Sequence, residues 1–200
     1  MEDLVPFLED AWRSAESKLG ETLGRDCRIS IHAHMSGELT QAVERIDHEK
    51  FRADLQYTME DLLERIGNGG FVLFMLTCDS EPTAFLYGYT DEGNIFRFFL
   101  DSVATLIEGK GIGSTLVTLA LVYCHDVGYR SVELYTEEVD ERGRRLVKFY
   151  EDLGFDVADR DPDKGVVMRS DLDESKLRYA CLRYIGLERD AQEFSSIHTL

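Results

Sequence analysis

Cysteine, histidine and positive charge are all scarce in this chain, and each scarcity removes a class of function. Its four cysteines, Cys27, Cys78, Cys124 and Cys181, are scattered without a C-x-x-C spacing. Neither a zinc site nor a disulfide framework is supported, and free thiols in a reducing compartment are expected. His32 and His34 would share one face of a strand, but no third ligand accompanies them, so no metal is expected. Only 22 Lys and Arg stand against 39 Asp and Glu, for a net charge of -17. That balance argues against nucleic-acid binding, which rests on neutralising phosphates with basic side chains. The acidic surplus reads either as solubility or as steering of a cationic substrate such as an amine. Apolar runs are short as well: Phe71 to Thr77 is among the longest, and it is strand-sized. No secretory-signal pattern opens the chain, so the expectation is a soluble cytoplasmic protein without a membrane partner.

What is present suffices for a sizeable core, since 44% of 200 residues are hydrophobic. The expected organisation is a helical extension over 1–26, one domain over 27–170, and a helical extension or tail over 171–200. Leu4, Leu8, Ala11, Trp12, Ala15 and Leu19 fall near one face of a first helix over 3–19. Cys27 to His34 alternates as a strand, and Leu39 to Ile66 reads as helix with one break. Phe71–Thr77, Thr83–Tyr89 and Ile95–Leu106 are strand-like runs joined by short turns, which implies antiparallel hairpins. A helix then leads to strand Ser131–Thr136, and so long a crossover implies parallel pairing. A helix over 143–153, strands near 155–158 and 165–169, and a helix over Leu177–Leu187 complete the pattern. The last helix packs on the domain, on a second subunit as in a homodimer, or as a lid over the substrate. No internal repeat or low-complexity segment is present.

Glu108-Gly109-Lys110-Gly111-Ile112-Gly113-Ser114 stands between the third strand-like run and the helix that carries Leu116, Leu119, Ala120 and Tyr123. Glycines let the backbone approach an anion, and the free N–H groups of a helix start then face it. A Walker loop is excluded because Gly111 follows Lys110 and Ala104 stands where a glycine is required. A dinucleotide fingerprint would need a third glycine where Ser114 stands, and its parallel sheet would begin at the loop, whereas antiparallel runs come first here. The remaining pattern is R/Q-x-x-G-x-G/A, which Glu108 to Gly113 matches at both glycines but not at its head.

About forty residues later, Phe149-Tyr150-Glu151-Asp152-Leu153-Gly154-Phe155 looks like the end of the last helix of the GNAT N-acetyltransferases, and Leu100 to Thr105 resembles their strand before the loop. Over roughly residues 28–170 the chain resembles that family. The resemblance implies an α/β (α+β) fold, with a mixed, mostly antiparallel sheet flanked by helices and extra helices at both ends. It further implies acetyl-CoA as cosubstrate, bound by the backbone of Gly109, Lys110, Gly111, Ile112, Gly113 and Ser114, by the strand edge at Ser102 and Val103, and by Arg145. Lys110, Arg144 and Arg145 would offset Glu108, which stands where relatives carry Arg or Gln. Gly143 is a second departure, at a position where many relatives carry Asn.

The implied reaction is direct attack of a primary amine, on a cationic small molecule or peptide, upon the thioester. An amine of pKa about 10.4 is only about one part in 2,500 neutral at pH 7, so a base or a water relay is expected. Asp101, interrupting Phe98, Phe99, Leu100 and Val103, is one candidate; Glu133, Glu137, Glu138 and water are the others. Tyr150 matches the family's proton donor to the leaving thiolate, and its alternative is a core tyrosine among Phe149, Leu153 and Phe155. Two other classes stay open: an acyl-CoA-binding sensor or scaffold without turnover, favoured by Glu108 and Gly143, and a nicotinamide-dependent enzyme.

Overall fold

The computed structural model describes residues 5–140, 142–162 and 165–187. Helix α1 (Val5–Leu23) leads into strand β1 (Cys27–His32), then α2 (Gly37–Lys50) and α3 (Met59–Ile66). Strands β2 (Val72–Cys78), β3 (Glu81–Asp91) and β4 (Asn94–Thr105) follow as a meander, and α4 (Ile112–Asp126) crosses to β5 (Ser131–Thr136). Helix α5 (Leu146–Asp152), strands β6 (Asp156–Asp161) and β7 (Gly165–Asp171), α6 (Glu174–Ala180) and a π-helical turn at Cys181–Ile185 are the last elements among the described residues. The seven strands form one sheet in the order β1-β2-β3-β4-β5-β7-β6. Every pairing is antiparallel except β4 with β5, so the sheet is mixed and mostly antiparallel, as expected.

Strand β2 explains why both faces are covered. Its even positions, Val72, Phe74, Leu76 and Cys78, join a core with α1, α4, α5 and α6, while Leu73 and Met75 join a second core with α2 and α3. Alternation puts successive side chains on opposite faces, and a strand with an unbroken apolar run such as Val72–Leu76 must be sandwiched. In α1 the four-residue spacing of Ala11, Ala15 and Leu19 buries one stripe. Trp12 donates its indole N–H to the Ile29 carbonyl at 3.0 Å, and Ser14 donates to the Ile185 carbonyl at 2.7 Å. The first helix therefore touches both the sheet edge and the final turn. All four cysteines are buried, and none is joined in a disulfide among the described residues. Cys27 lies opposite Cys78, and burial, first, pushes its thiol up to about 12.

Several boundaries differ from expectation. The stretch 39–66 breaks once, as expected, though over several residues: Phe51 is extended at the end of α2, and Thr58 starts α3 anew with a reciprocal capping box to Asp61. Strand β1 ends at His32, so His34 lies outside it, and His32 Nε2 is hydrogen-bonded to Ser30 Oγ. Helix α5 starts at Leu146 rather than 143, since Gly143 has a left-handed φ of +76° in a turn closed by its N–H to the Asp140 carbonyl. The expected helix 177–187 begins earlier, at Glu174, and gives way after Ala180 to the π turn that the left-handed Gly186 ends. Leu4 lies outside the described residues.

Candidate active site

Strands β4 and β5 pair only at Arg97–Ser131, Phe98–Val132 and Phe99–Glu133. Beyond that point each keeps its outer neighbour, β3 or β7, to its end. The β4 edge from Leu100 to Thr105 therefore has no strand on the β5 side among the described residues, and it opens a gap in mid-sheet. The glycine loop follows directly. Gly109 and Gly111 take φ of +71° and +76°, left-handed values that side chains other than glycine adopt at a cost. Gly111 is the N-cap of α4 and supplies no side-chain cap, so the N–H groups of Ile112, Gly113 and Ser114 are the uncapped first turn. A Cβ on Gly109 or Gly111 would meet nothing within 4 Å, so the space beside these two glycines is open, while one on Gly113 would meet the Phe149 ring at 3.5 Å. The loop thus fits an anionic group such as a pyrophosphate. The Ile112 side chain is in the core, leaving only its backbone for a ligand.

Glu108 does not stand alone at the loop head. Lys50 Nζ approaches its Oε1 at 3.1 Å, Arg144 approaches Oε2 at 3.3 Å, and Arg142 pairs with Oε1 as well. The Lys50 hydrogen bond, ahead of the two arginines, holds the Glu108 carboxyl below its ordinary value. Lys110 and Arg145 are exposed, and neither has an ion-pair partner among the described residues. Asp140 orders the arginine turn by accepting from the Arg142 and Arg144 backbone N–H groups.

Asp101 sits at a β-bulge. Ser102 faces Tyr87 and Leu100 faces Gly88, so Asp101 is the extra residue, and a bulge re-aims the side chain it carries. Gly88 is required there, for a Cβ would lie 2.3 Å from the Phe99 carbonyl and 2.5 Å from the Phe98 ring. The Asp101 side chain is 8% exposed; Arg65 Nε pairs with Oδ2 at 2.8 Å and the Tyr57 hydroxyl donates to Oδ1 at 3.0 Å. Arg65 also lies over the Tyr57 ring, 4.2 Å from its centre. Burial, the largest influence, pushes Asp101 up, and the Arg65 charge and the hydrogen bond from Tyr57 only partly oppose it. Burial likewise raises Tyr57 and Tyr89. Tyr57, Arg65 and Tyr89 were not singled out by sequence reasoning. Their one signal, an aromatic and basic composition beside α3, carries no partner information.

The glutamate candidates are engaged elsewhere. Glu133 Oε2 receives Arg97 at 2.7 Å and Arg169 at 2.6 Å, and its side chain is 7% exposed. Glu137 accepts from Arg52 at 2.6 Å, and Glu138 pairs with Arg160. Tyr150 is 8% exposed, edge-on to Phe149 and Phe155, and burial pushes its phenol up. Ser102 is buried and Val103 packs partly buried against the α4-side core. Among the described residues no cluster of His, Cys, Asp and Glu could hold a metal, and no helix is long and apolar enough to cross a membrane.

Residues 40–155 match the family model described as the acetyltransferase (GNAT) family. Over 78 residues the chain is 37% identical to the mycothiol acetyltransferase of Parafrankia sp. (strain EAN1pec), a match covering 36% of this chain and 23% of that protein. The chain therefore spans less than a quarter of this curated relative. Among solved structures, the PaiA N-acetyltransferase of Thermoplasma acidophilum in complex with coenzyme A superposes with a TM-score of 0.58 at 20% identity, covering 72% of this chain and 99% of that one. The aminoglycoside 6'-N-acetyltransferase of Enterococcus faecium gives 0.61 at 14% identity, covering 72% and 97%. The ribosomal-protein-S18-alanine N-acetyltransferase of Escherichia coli gives 0.58 at 15%, covering 72% and 94%. Identities this low establish the shared fold.

Proposed function

Because the chain belongs to the acetyltransferase (GNAT) family, we propose that it transfers an acetyl group from acetyl-CoA to a primary amine in a ternary complex. One observation carries the reading: the β4 edge left free beyond Phe99 runs straight into an uncapped, glycine-flanked start of α4. Acetyl-CoA, when bound, supplies an acyl carbon activated as a thioester. Gly109 to Ser114 present backbone N–H groups to its phosphates, and the β4 edge at Asp101, Ser102 and Val103 offers unpaired backbone groups to an extended arm.

Asp101 is the group best placed to accept the ammonium proton. Its carboxylate is raised by burial, which brings it nearer the working pH without freeing it from Arg65 and Tyr57. The neutral amine then forms the C–N bond as the C–S bond breaks; the departing sulfur takes a proton from Tyr150 or from water, and the proton that the attacking nitrogen sheds as it becomes the amide passes through water to restore that donor. A phenol near 10 and a thiol near 8.5 make that transfer uphill by about 2 kcal/mol, and burial of Tyr150 makes it steeper. Tyr150 therefore contributes modestly. The acidic surface, at -17, favours a cationic acceptor.

The test is release of CoA thiol from acetyl-CoA with a panel of polyamines, amino acids, aminoglycosides and peptide N-termini, alongside thermal shift with acetyl-CoA and NAD. Thiol release with at least one amine is expected. Stabilisation by acetyl-CoA without release on any amine would leave a sensor, and stabilisation by NAD alone would overturn the reading.

A further inference from the structure

The charge at the loop head runs opposite to the charge of the whole molecule. In a chain of net charge -17, Lys50 from the end of α2 and Arg142 and Arg144 from the turn after β5 converge on one carboxylate, Glu108. Those cations are 58, 34 and 36 positions from Glu108 in sequence; Asp140 orders the turn that carries the two arginines, and Glu108 is the carboxylate that all three reach. Lys50 is held with a side chain only 14% exposed. Asp140 takes part of the Arg144 charge. Among the described residues, three cations against two carboxylates leave the cluster positive, and Lys110 and Arg145, close to it in sequence, have no ion-pair partners there.

We propose that Glu108 is a positioning residue that gathers Lys50, Arg142 and Arg144 into a cationic clamp for the phosphates of acyl-CoA, beside the backbone N–H groups of the glycine loop. The inference rests on the acetyl-CoA reading above. Its physical basis is that long basic side chains lose rotamer freedom when a ligand orders them, and side chains already ion-paired have lost that freedom beforehand. A bare carboxylate at this place would repel phosphate. One that collects three cations gives the ligand a preassembled positive surface, and the local sign is reversed.

The experiment is calorimetric titration of CoA into the full chain, wild type and variants, at several salt concentrations. Neutralising the clamp in Lys50→Gln, and in Arg142→Gln with Arg144→Gln, should each weaken CoA binding about tenfold and flatten its salt dependence, because fewer ligand phosphates are then neutralised. Glu108→Gln should weaken binding about threefold or more, raising KM for acetyl-CoA while leaving kcat at saturation near wild type. Thermal melts of each variant establish that it folds. Unchanged CoA affinity and salt dependence in the cation variants, with only a lowered melting temperature, would reduce the cluster to a surface ion-pair network and overturn the clamp. Tighter CoA binding by Glu108→Gln would overturn it too, by restoring simple repulsion. Absence of CoA binding by the wild type would instead bring down the acetyl-CoA reading itself.

Discussion

Asp101 and Glu133 are both buried carboxylates on the two strands that part company, yet their surroundings give them opposite fates. Glu133, at the last paired position of β5, is gripped on one oxygen by Arg97 and Arg169. The two arginines come from β4 and β7, so the carboxylate ties β4, β5 and β7 together. Asp101, two residues past the last paired position of β4, has one arginine and phenol neighbours, and burial outweighs them to push it up. On the function proposed above, Asp101 serves as the base and Glu133 as a tie between strands, so burial alone does not distinguish the two roles. What matters is how many cations share the site and whether the group lies where the sheet opens.

The comparison breaks most visibly by neutralising each acid in turn. Asp101→Asn should lower kcat by about a hundredfold, near 2.7 kcal/mol in the barrier, in initial-rate assays of thiol release. Glu133→Gln should leave turnover per folded molecule within about threefold but cost about 2 kcal/mol of stability, roughly 4–8 °C in Tm, by leaving two arginines with a neutral partner. That figure sits below the range for fully buried pairs because Arg169 is 42% exposed. Reversal of the two outcomes would exchange the roles assigned here. Tyr150→Phe sharpens the picture on the leaving-group side: turnover should fall about tenfold, near 1.4 kcal/mol, with little change in acetyl-CoA affinity. Unchanged turnover would make Tyr150 a packing residue.

Which parts of this were legible beforehand follows from the range of the physics involved. The glycine loop could be read because a left-handed φ at Gly109 and Gly111 is a local demand that only a few residue types meet. The mixed sheet could be read because β2 is apolar from Val72 to Leu76 and the turns after it are short, which are also local signals. Asp101 could be noticed as a charge interrupting an apolar run. Its bulge and its partners could not, since they depend on a register set across β3 and on Arg65 reaching over from α3. The same limit concealed Glu108. In sequence it is an acid where a phosphate loop should be basic; in the fold, Lys50, 58 positions away, completes its surroundings. The Gly143 position misled for a nearer reason: Asp140 and a left-handed turn delay the helix to Leu146.

The pH dependence of kcat, measured on wild type, Asp101→Asn and Glu133→Gln with the amine found active in the thiol-release panel, tests the central assignment most directly. A base must be ionised to act, so wild-type activity should fall as pH drops through the folded pKa of Asp101, which burial places above its ordinary 3.8. That acidic limb should persist in Glu133→Gln and vanish from the residual activity of Asp101→Asn. An identical acidic limb in wild type and Asp101→Asn would contradict the account.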